Sequence, residues 1–262
     1  MALGILCAYA ALLKLGRRSG LDPDRLGNLV VLLVFSGLAG ARLFYVVEHW
    51  DWYRKDPLSV LRVWEGGLMF YGSVVVAGAV LAAWCAAFRR PALQMLDLFA
   101  AVVPIGQAFG RVGCFLNGCC YGRASSGPLA VTYPHGSIPW QEQLSAGVIG
   151  GTAARSCPVF PVQLFEAAGC ALLGAALVAL HAKLFSRTRQ GSGGGKAPER
   201  GLVFAGWLAG YGVLRFAMEG LRADERAHPF GGPLTISQTI GVACLILAAA
   251  LCAAAARRRK VV

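Results

Sequence analysis

Arginine and asparagine stand within an otherwise apolar run from Gly110 to Arg123, G-R-V-G-C-F-L-N-G-C-C-Y-G-R. A charged side chain near a bilayer core costs at least about 2.5 to 3.5 kcal/mol on insertion scales, so Arg111 reads first as a functional group. Further along, Tyr211, Arg215 and Glu219 recur every four residues and share one helical face. Such a stripe faces a polar cavity or a partner helix rather than lipid. Two uses stay open for it. One is a buried Arg215–Glu219 pair that holds helices together. The other is phosphate reading, because a guanidinium fork matches phosphate oxygens bidentately and stays charged when desolvated. Arg111 and Arg215 at comparable outer depth suit an anionic phospholipid head group entering sideways. Arg42, Glu48, Asp97, Gln107, Asn117, Gln163 and Glu166 complete the polar residues at membrane depth or at span ends.

The elements that must position these groups are apolar helices. Hydrophobic residues make up 56% of the 262 and charged residues 15%, with a mean hydropathy of +0.58. Seven stretches approach the roughly 20 residues needed to cross a ~30 Å hydrocarbon layer as helix. They are approximately 1–14, 27–48, 68–88, 93–115, 161–185, 201–219 and 235–256. The predicted fold class is therefore an all-α integral membrane protein, about seven transmembrane helices in one polytopic domain over 1–262. The first stretch is short and its charges follow the apolar run, unlike those of a signal peptide, so it reads as a helix clipped at its N-terminal side.

Laying the spans alternately across the bilayer collects fifteen of the 25 Lys and Arg on one side and seven on the other. The positive-inside rule then puts the N-terminus outside and the C-terminus in the cytoplasm. The net charge of +12 follows from that topology; with no recognition module or aromatic-interleaved basic patch, nucleic acid is excluded as a partner. The segment 116–160 is predicted as a small periplasmic head, and 186–200, with its Gly-Ser-Gly-Gly-Gly, as a flexible cytoplasmic loop. No internal repeat is evident, and the polar residues are biased to one side, which argues against a transporter built from inverted halves.

In order and spacing, the polar motifs resemble the prolipoprotein diacylglyceryl transferase family of bacterial inner membranes. The resemblance rests on Gly40-Ala41-Arg42-Leu43-Phe44-Tyr45, Val63-Trp64-Glu65-Gly66-Gly67-Leu68, the signature at 110–123, Pro161-Val162-Gln163-Leu164-Phe165-Glu166, Tyr211-Gly212 with Arg215 and Glu219, and Leu234-Thr235-Ile236-Ser237-Gln238. It implies transfer of a diacylglyceryl group from phosphatidylglycerol to the thiol of a lipobox cysteine in a prolipoprotein, forming a thioether and releasing glycerol phosphate. Phosphatidylglycerol, the lipobox peptide and the bilayer are the implied partners, with no cofactor. By the same resemblance Arg111 and Arg215 bind the head group and stabilise the leaving phosphate, and Glu219 orients Arg215. Arg42, Gly122 and Tyr211 are matched supporting positions in substrate binding, Asn117 and Gln163 hydrogen-bond the glycerol or esters, Glu166 pairs with an arginine, and Cys114 and Cys119 stand among the substrate-binding positions.

The chain departs from the family at positions that touch the chemistry. Tyr71-Gly72-Ser73 stands where the family commonly has His-Gly-Gly; Tyr71 replaces the histidine proposed as general base, and a phenol, with a reference pKa of about 10, is a poor base near neutral pH. Cys114 and Cys119 replace Asn and Glu within the signature, and the family's first-helix tyrosine has no counterpart. A diverged paralogue that binds the same lipid but modifies another acceptor, or a non-catalytic lipid-binding protein, is the alternative. Of nine cysteines, Cys7, Cys85, Cys170, Cys244 and Cys252 read as packing residues. Cys114, Cys119, Cys120 and Cys157 near the outer face are open to a disulfide, plain packing or a lipid-carrying thiol. Their spacing lacks the paired C-x-x-C of structural zinc sites, so no metal is expected. His49, His135 and His228 fall outside the motifs, His135 being a possible substitute base. Trp50, Trp52, Trp64 and Trp140 read as interfacial anchors.

Overall fold

The computed structural model describes residues 2–190, 200–223 and 234–261, with side chains up to 184 in the fifth long helix and 258 in the last. Among the described residues the chain is all-helical. The helices are α1 (Ala2–Arg18), α2 (Pro23–Glu48), α3 (Trp50–Tyr53), α4 (Phe70–Ala87), α5 (Ala92–Asn117), α6 (Ile138–Ser145), α7 (Val162–Gln190), α8 (Leu202–Glu219) and α9 (Ile236–Val261). Extended pairing is confined to isolated bridges such as Gly122 with Arg222 and Val131 with Val159.

Five helical segments are long and apolar enough to cross a membrane: Pro23–Glu48, Phe70–Ala87, Ala92–Asn117, Val162–Leu184 and Ile236–Arg258. The other two expected spans fall short for separate reasons. α1 has 17 residues, and α8 trades apolar positions for Trp207, Tyr211, Arg215 and Glu219. Phe35, Val74, Val75, Leu172 and Ile246 stand exposed on four of the five, as lipid-facing side chains do. α7 continues as helix to Gln190, through the first residues of the loop predicted at 186–200; 191–199, which hold most of that loop, and His228 lie outside the described residues.

The chain divides into two compact units, Gly16–Met95 and Met1–Leu15 with Leu96–Val262. Within the first, α2 packs on α4 where Gly40 and Gly72 meet backbone to backbone, the small-residue contact that lets membrane helices approach closely. Here Arg42, 6% exposed, points into the loop after α3. Its Nε donates to the Val60 carbonyl at 2.8 Å, Nη1 to Gly66 and Gly67 at 2.7 and 3.1 Å, and Nη2 to Ser59 and Arg62 at 2.6 and 3.3 Å. Five carbonyls engage the five donors a guanidinium has, and the Tyr53 ring lies 5.1 Å beneath. Arg42, expected to bind substrate, is committed here to holding residues 59–67.

In the second unit α8 packs against α7 and α9, around a core of Ala205, Leu208 and Ala248. Asp97 of α5 caps α8 from outside that helix: Oδ2 accepts from the Gly201 N–H at 2.6 Å and Oδ1 from the Phe204 N–H at 2.8 Å. A carboxylate satisfies donors that a helix start leaves unpaired and suits its positive end. α9 opens on a reciprocal capping box, in which the Thr235 hydroxyl accepts from the Gln238 N–H and the Gln238 side chain accepts from the Thr235 N–H. Between α5 and α7 the chain is ordered around buried Tyr133, Pro139, Trp140 and Val159. Trp140 Nε1 donates to the Ala153 carbonyl at 2.7 Å, and Tyr121 donates to Glu142.

Candidate active site

The site is built on one face of α5. Gln107, Arg111 and Cys114, with Gly110 and Asn117, repeat at three- and four-residue spacing and so point the same way. They line a cavity of about 580 Å³, whose further walls are Cys119, Cys170 of α7 and Tyr211 of α8. That volume lies in the range of small-molecule pockets, roughly 300 to 1,000 Å³.

Behind the wall lies a network centred on Glu166, whose side chain is 4% exposed. Arg111 Nε stands 2.7 Å from Glu166 Oε2, a close ion pair whose angle falls outside hydrogen-bond geometry. Arg215 Nη1 donates to Oε1 at 3.1 Å, and Arg222 Nη1 approaches the same oxygen at 3.5 Å. Arg215 Nη2 donates to Ser237 Oγ at 3.0 Å and lies 3.6 Å from Glu219 Oε2. Glu219 in turn accepts from the Thr235 hydroxyl at 2.7 Å. Among the described residues three guanidiniums thus share two carboxylates, a net charge of +1. The Arg111 side chain is 24% exposed against 11% for Arg215 and 2% for Arg222. Arg111 is the network's contact with the cavity; Arg215 stands behind it.

Backbone geometry explains how distant segments reach Glu166. α5 ends in a Schellman-type turn: Gly118, at φ +73°, lets the Gly118 and Cys119 N–H groups reach back to the Phe115 and Cys114 carbonyls at 3.2 and 3.1 Å. Gly122 then threads between two other backbones. Its N–H donates to the Phe160 carbonyl at 2.9 Å, and a Cβ there would sit 2.6 Å from Phe160 O and 2.7 Å from Leu221 O. Only glycine fits, and by fitting it draws the start of α7 and the end of α8 together, one bringing Glu166 and the other Arg222. Gln163, fully buried, fastens the same corner by donating to the Cys119 carbonyl at 2.9 Å and to the Tyr133 hydroxyl at 3.3 Å. Burial pushes the Tyr133 phenol above its ordinary value, opposed by the bond from Gln163.

The structure therefore brings together Arg111, Arg215, Glu219, Glu166, Tyr211, Asn117, Gln163, Gly122, Cys114 and Cys119, all within one unit. Tyr71 and Arg42 belong to the other unit; Tyr71 lies on the first turn of α4, half exposed. The His135 ring packs against Trp140 at a tilt of 47°, ring centroids 4.0 Å apart. All nine cysteines are free thiols, so the possible disulfide among the outer four does not form here. Sequence reasoning missed Arg222, Ser237 and Thr235 as site residues. Arg222 could have been found, since it continues the Tyr211, Arg215, Glu219 stripe by three residues; the two hydroxyls stand in the Leu234–Gln238 motif that carried the resemblance, with no site role attached to them there.

Apolar helices around a cationic network that opens on a cavity define a helical membrane protein with a positively charged site. The comparisons with known proteins narrow this class. The family model for prolipoprotein diacylglyceryl transferase matches residues 1–254. A Clostridium perfringens protein named "Phosphatidylglycerol--prolipoprotein diacylglyceryl transferase 2" is 30% identical over 94% of this chain and 85% of its own length. Relatives named phosphatidylglycerol--prolipoprotein diacylglyceryl transferase are 30% identical in Lactiplantibacillus plantarum, over 86% of this chain and 73% of theirs, and 32% identical in Ruegeria pomeroyi, over 91% and 76%. The chain belongs to the prolipoprotein diacylglyceryl transferase family.

Proposed function

We propose that this protein transfers the diacylglyceryl group of phosphatidylglycerol to the lipobox cysteine of a prolipoprotein. The acceptor sulfur attacks the glycerol carbon that bears the phosphate. A carbon–sulfur bond forms, the carbon–oxygen bond breaks, and glycerol phosphate leaves with the electron pair. A phosphodiester carries one negative charge, and the departing monoester carries up to two, its second pKa being near 6. The added charge develops beside three guanidiniums that, among the described residues, share two carboxylates, and stabilising charge that grows in the transition state is what accelerates a reaction. The single observation that carries the reading is Arg111, held at 2.7 Å by buried Glu166 in the wall of the cavity.

Arg111 is assigned contact with the head-group phosphate. Arg215, Arg222, Glu166 and Glu219 position it and supply the field. Asn117 and Tyr211 face the lipid from the cavity wall, Gln163 and Gly122 hold the corner that carries Glu166, and Cys114 and Cys119 border the acceptor's approach. Tyr71, at the family's histidine position, is given a hydrogen-bonding role; the thiol proton can leave with the phosphate monoester. Arg42 shapes the 59–67 loop. The proposed setting is the bacterial inner membrane, with seven spans counting α1 and α8, residues 116–160 as a periplasmic head, the N-terminus outside and the C-terminus in the cytoplasm. α8 can span despite its polar stripe because that stripe is turned to the Glu166 network and not to lipid.

The test is turnover. Purified protein in detergent, given phosphatidylglycerol and a lipobox peptide, should yield a peptide heavier by one diacylglyceryl group on its cysteine by mass spectrometry. Binding of the lipid with no adduct, while a conventional family member is active alongside, would reject the transferase reading.

A further inference from the structure

The sulfurs of Cys114, Cys119 and Cys120 lie within 4.8 Å of one another. In sequence these residues span seven positions of no recognised metal motif; the fold makes them a cluster. The Schellman-type turn at Gly118 folds Cys119 back over the last turn of α5, where its Sγ approaches the Cys114 carbonyl at 3.7 Å. Cys120 adopts φ +59°, a left-handed conformation uncommon for a residue with a side chain. That conformation sets its sulfur beside the other two. All three are partly buried, and Cys114 and Cys119 border the Arg111 cavity. Cys157, the fourth outer cysteine, is outside the group, its N–H held by the Gln143 side chain at 2.7 Å.

We propose that Cys114, Cys119 and Cys120 bind one thiophilic divalent cation of the Zn²⁺ class, and that its fourth position takes the sulfur of the acceptor peptide. Thiolate donors select Zn²⁺ among the common divalent cations. Zn–S bonds of about 2.3 Å in tetrahedral geometry put sulfurs about 3.8 Å apart, within rotamer adjustment of the observed spread. Three protein ligands and one open position is the arrangement of reactive zinc sites, whereas four protein ligands close a structural one. Coordination displaces one proton from each thiol, leaving a Zn(thiolate)₃ unit of charge −1. Arg111, one helical turn before Cys114, supplies the matching positive charge on the same face.

The catalytic half of this inference rests on the transferase reading. A metal-bound thiol is deprotonated, so the cation does for the acceptor what a base does elsewhere. The acceptor's proton leaves to solvent on coordination, its sulfur attacks the glycerol carbon, the carbon–oxygen bond breaks with its electron pair leaving on glycerol phosphate, and the thioether product, a weak ligand, is released. This gives the chain a route to the nucleophile with Tyr71 in place of histidine.

Full-length protein in detergent, stripped with chelator, is titrated with Co²⁺ and with Zn²⁺. One equivalent of Co²⁺ producing thiolate charge-transfer absorption, displaced by Zn²⁺, is expected. C114S, C119S and C120S should each weaken binding at least tenfold, and C252S, on the exposed face of α9, should leave it unchanged. Absence of the band, or a band indifferent to all three substitutions, overturns the site whether or not the protein is active. Alkylation without reductant provides a second readout: a disulfide within the trio overturns it too. In the transfer assay, chelation should lower turnover at least tenfold and Zn²⁺ restore it. Metal binding with turnover indifferent to chelation removes the catalytic half, and metal binding with no turnover under any condition faults the transferase reading instead.

Discussion

Replacing Glu166 by Gln keeps the shape of the side chain and removes the charge that three arginines share. Arg222 and Arg215 are 2% and 11% exposed, so neither can recover its lost partner from water. Breaking a buried ion pair from one side costs about 3–5 kcal/mol. Arg111, a quarter exposed, is screened and contributes little to that figure, and Arg215 and Arg222 both keep further contacts, Glu219 at 3.6 Å from Arg215 among them, so the low end, about 3 kcal/mol, is expected. For a chain of this size each kcal/mol moves the melting temperature by roughly 2–4 °C, which gives a fall of about 6–12 °C. Activity should drop further than stability at the assay temperature explains. Arg111 loses the contact that aims it, and a misplacement near 1 Å costs on the order of 10²-fold. Thermal unfolding in detergent and the peptide transfer assay measure the two effects on one preparation. E219Q is the internal standard: of the ion pairs described above it removes only the longer contact to one arginine, and it should cost less than E166Q, about 1–3 kcal/mol. A melting temperature for E166Q within a degree or two of wild type, or above that of E219Q, would refute the hub assignment.

R111A should remove nearly all transfer while shifting the melting temperature only slightly, and R111K should recover little, because an ammonium offers a point charge where the phosphate meets a planar fork. G122A should destabilise by about 1–3 kcal/mol and lower activity with it, since both oxygens its Cβ would strike are backbone; unchanged unfolding would show that the corner relaxes freely. R42A should loosen residues 59–67, each orphaned carbonyl costing about 1–3 kcal/mol if it stays buried, visible as faster amide exchange or new proteolysis confined to that loop. Tyr133, raised by burial, is neutral in the folded protein at pH values where the unfolded chain has begun to lose its proton. Its contribution is therefore present below about pH 10 and is lost as pH rises through the folded value. Y133F should flatten the alkaline decline in stability measured by thermal unfolding across that range.

Much of this protein is legible in a linear reading because its constraints are local. Apolar runs long enough for a bilayer become helices wherever backbone polar groups must be satisfied internally, so α2, α4, α5, α7 and α9 follow from hydropathy alone. Arg111 stands out by its cost, and Tyr211, Arg215 and Glu219 by their period. What the sequence could not assign is which charge meets which. Arg42 and Arg111 look alike as arginines in apolar spans, yet the fold surrounds one with five carbonyls and gives the other a carboxylate and a cavity. Glu166 becomes the centre, and Arg222 its third partner, because Gly122 admits two foreign backbones where any Cβ would collide. The three cysteines converge because Gly118 turns the chain back on α5 and Cys120 accepts a left-handed backbone. Hydropathy and period act over a few residues of one helix, whereas the partners of a buried charge are chosen by close packing among segments far apart in the chain. Sequence determined the helices and the residues able to do chemistry; the tertiary structure decided which of them face each other.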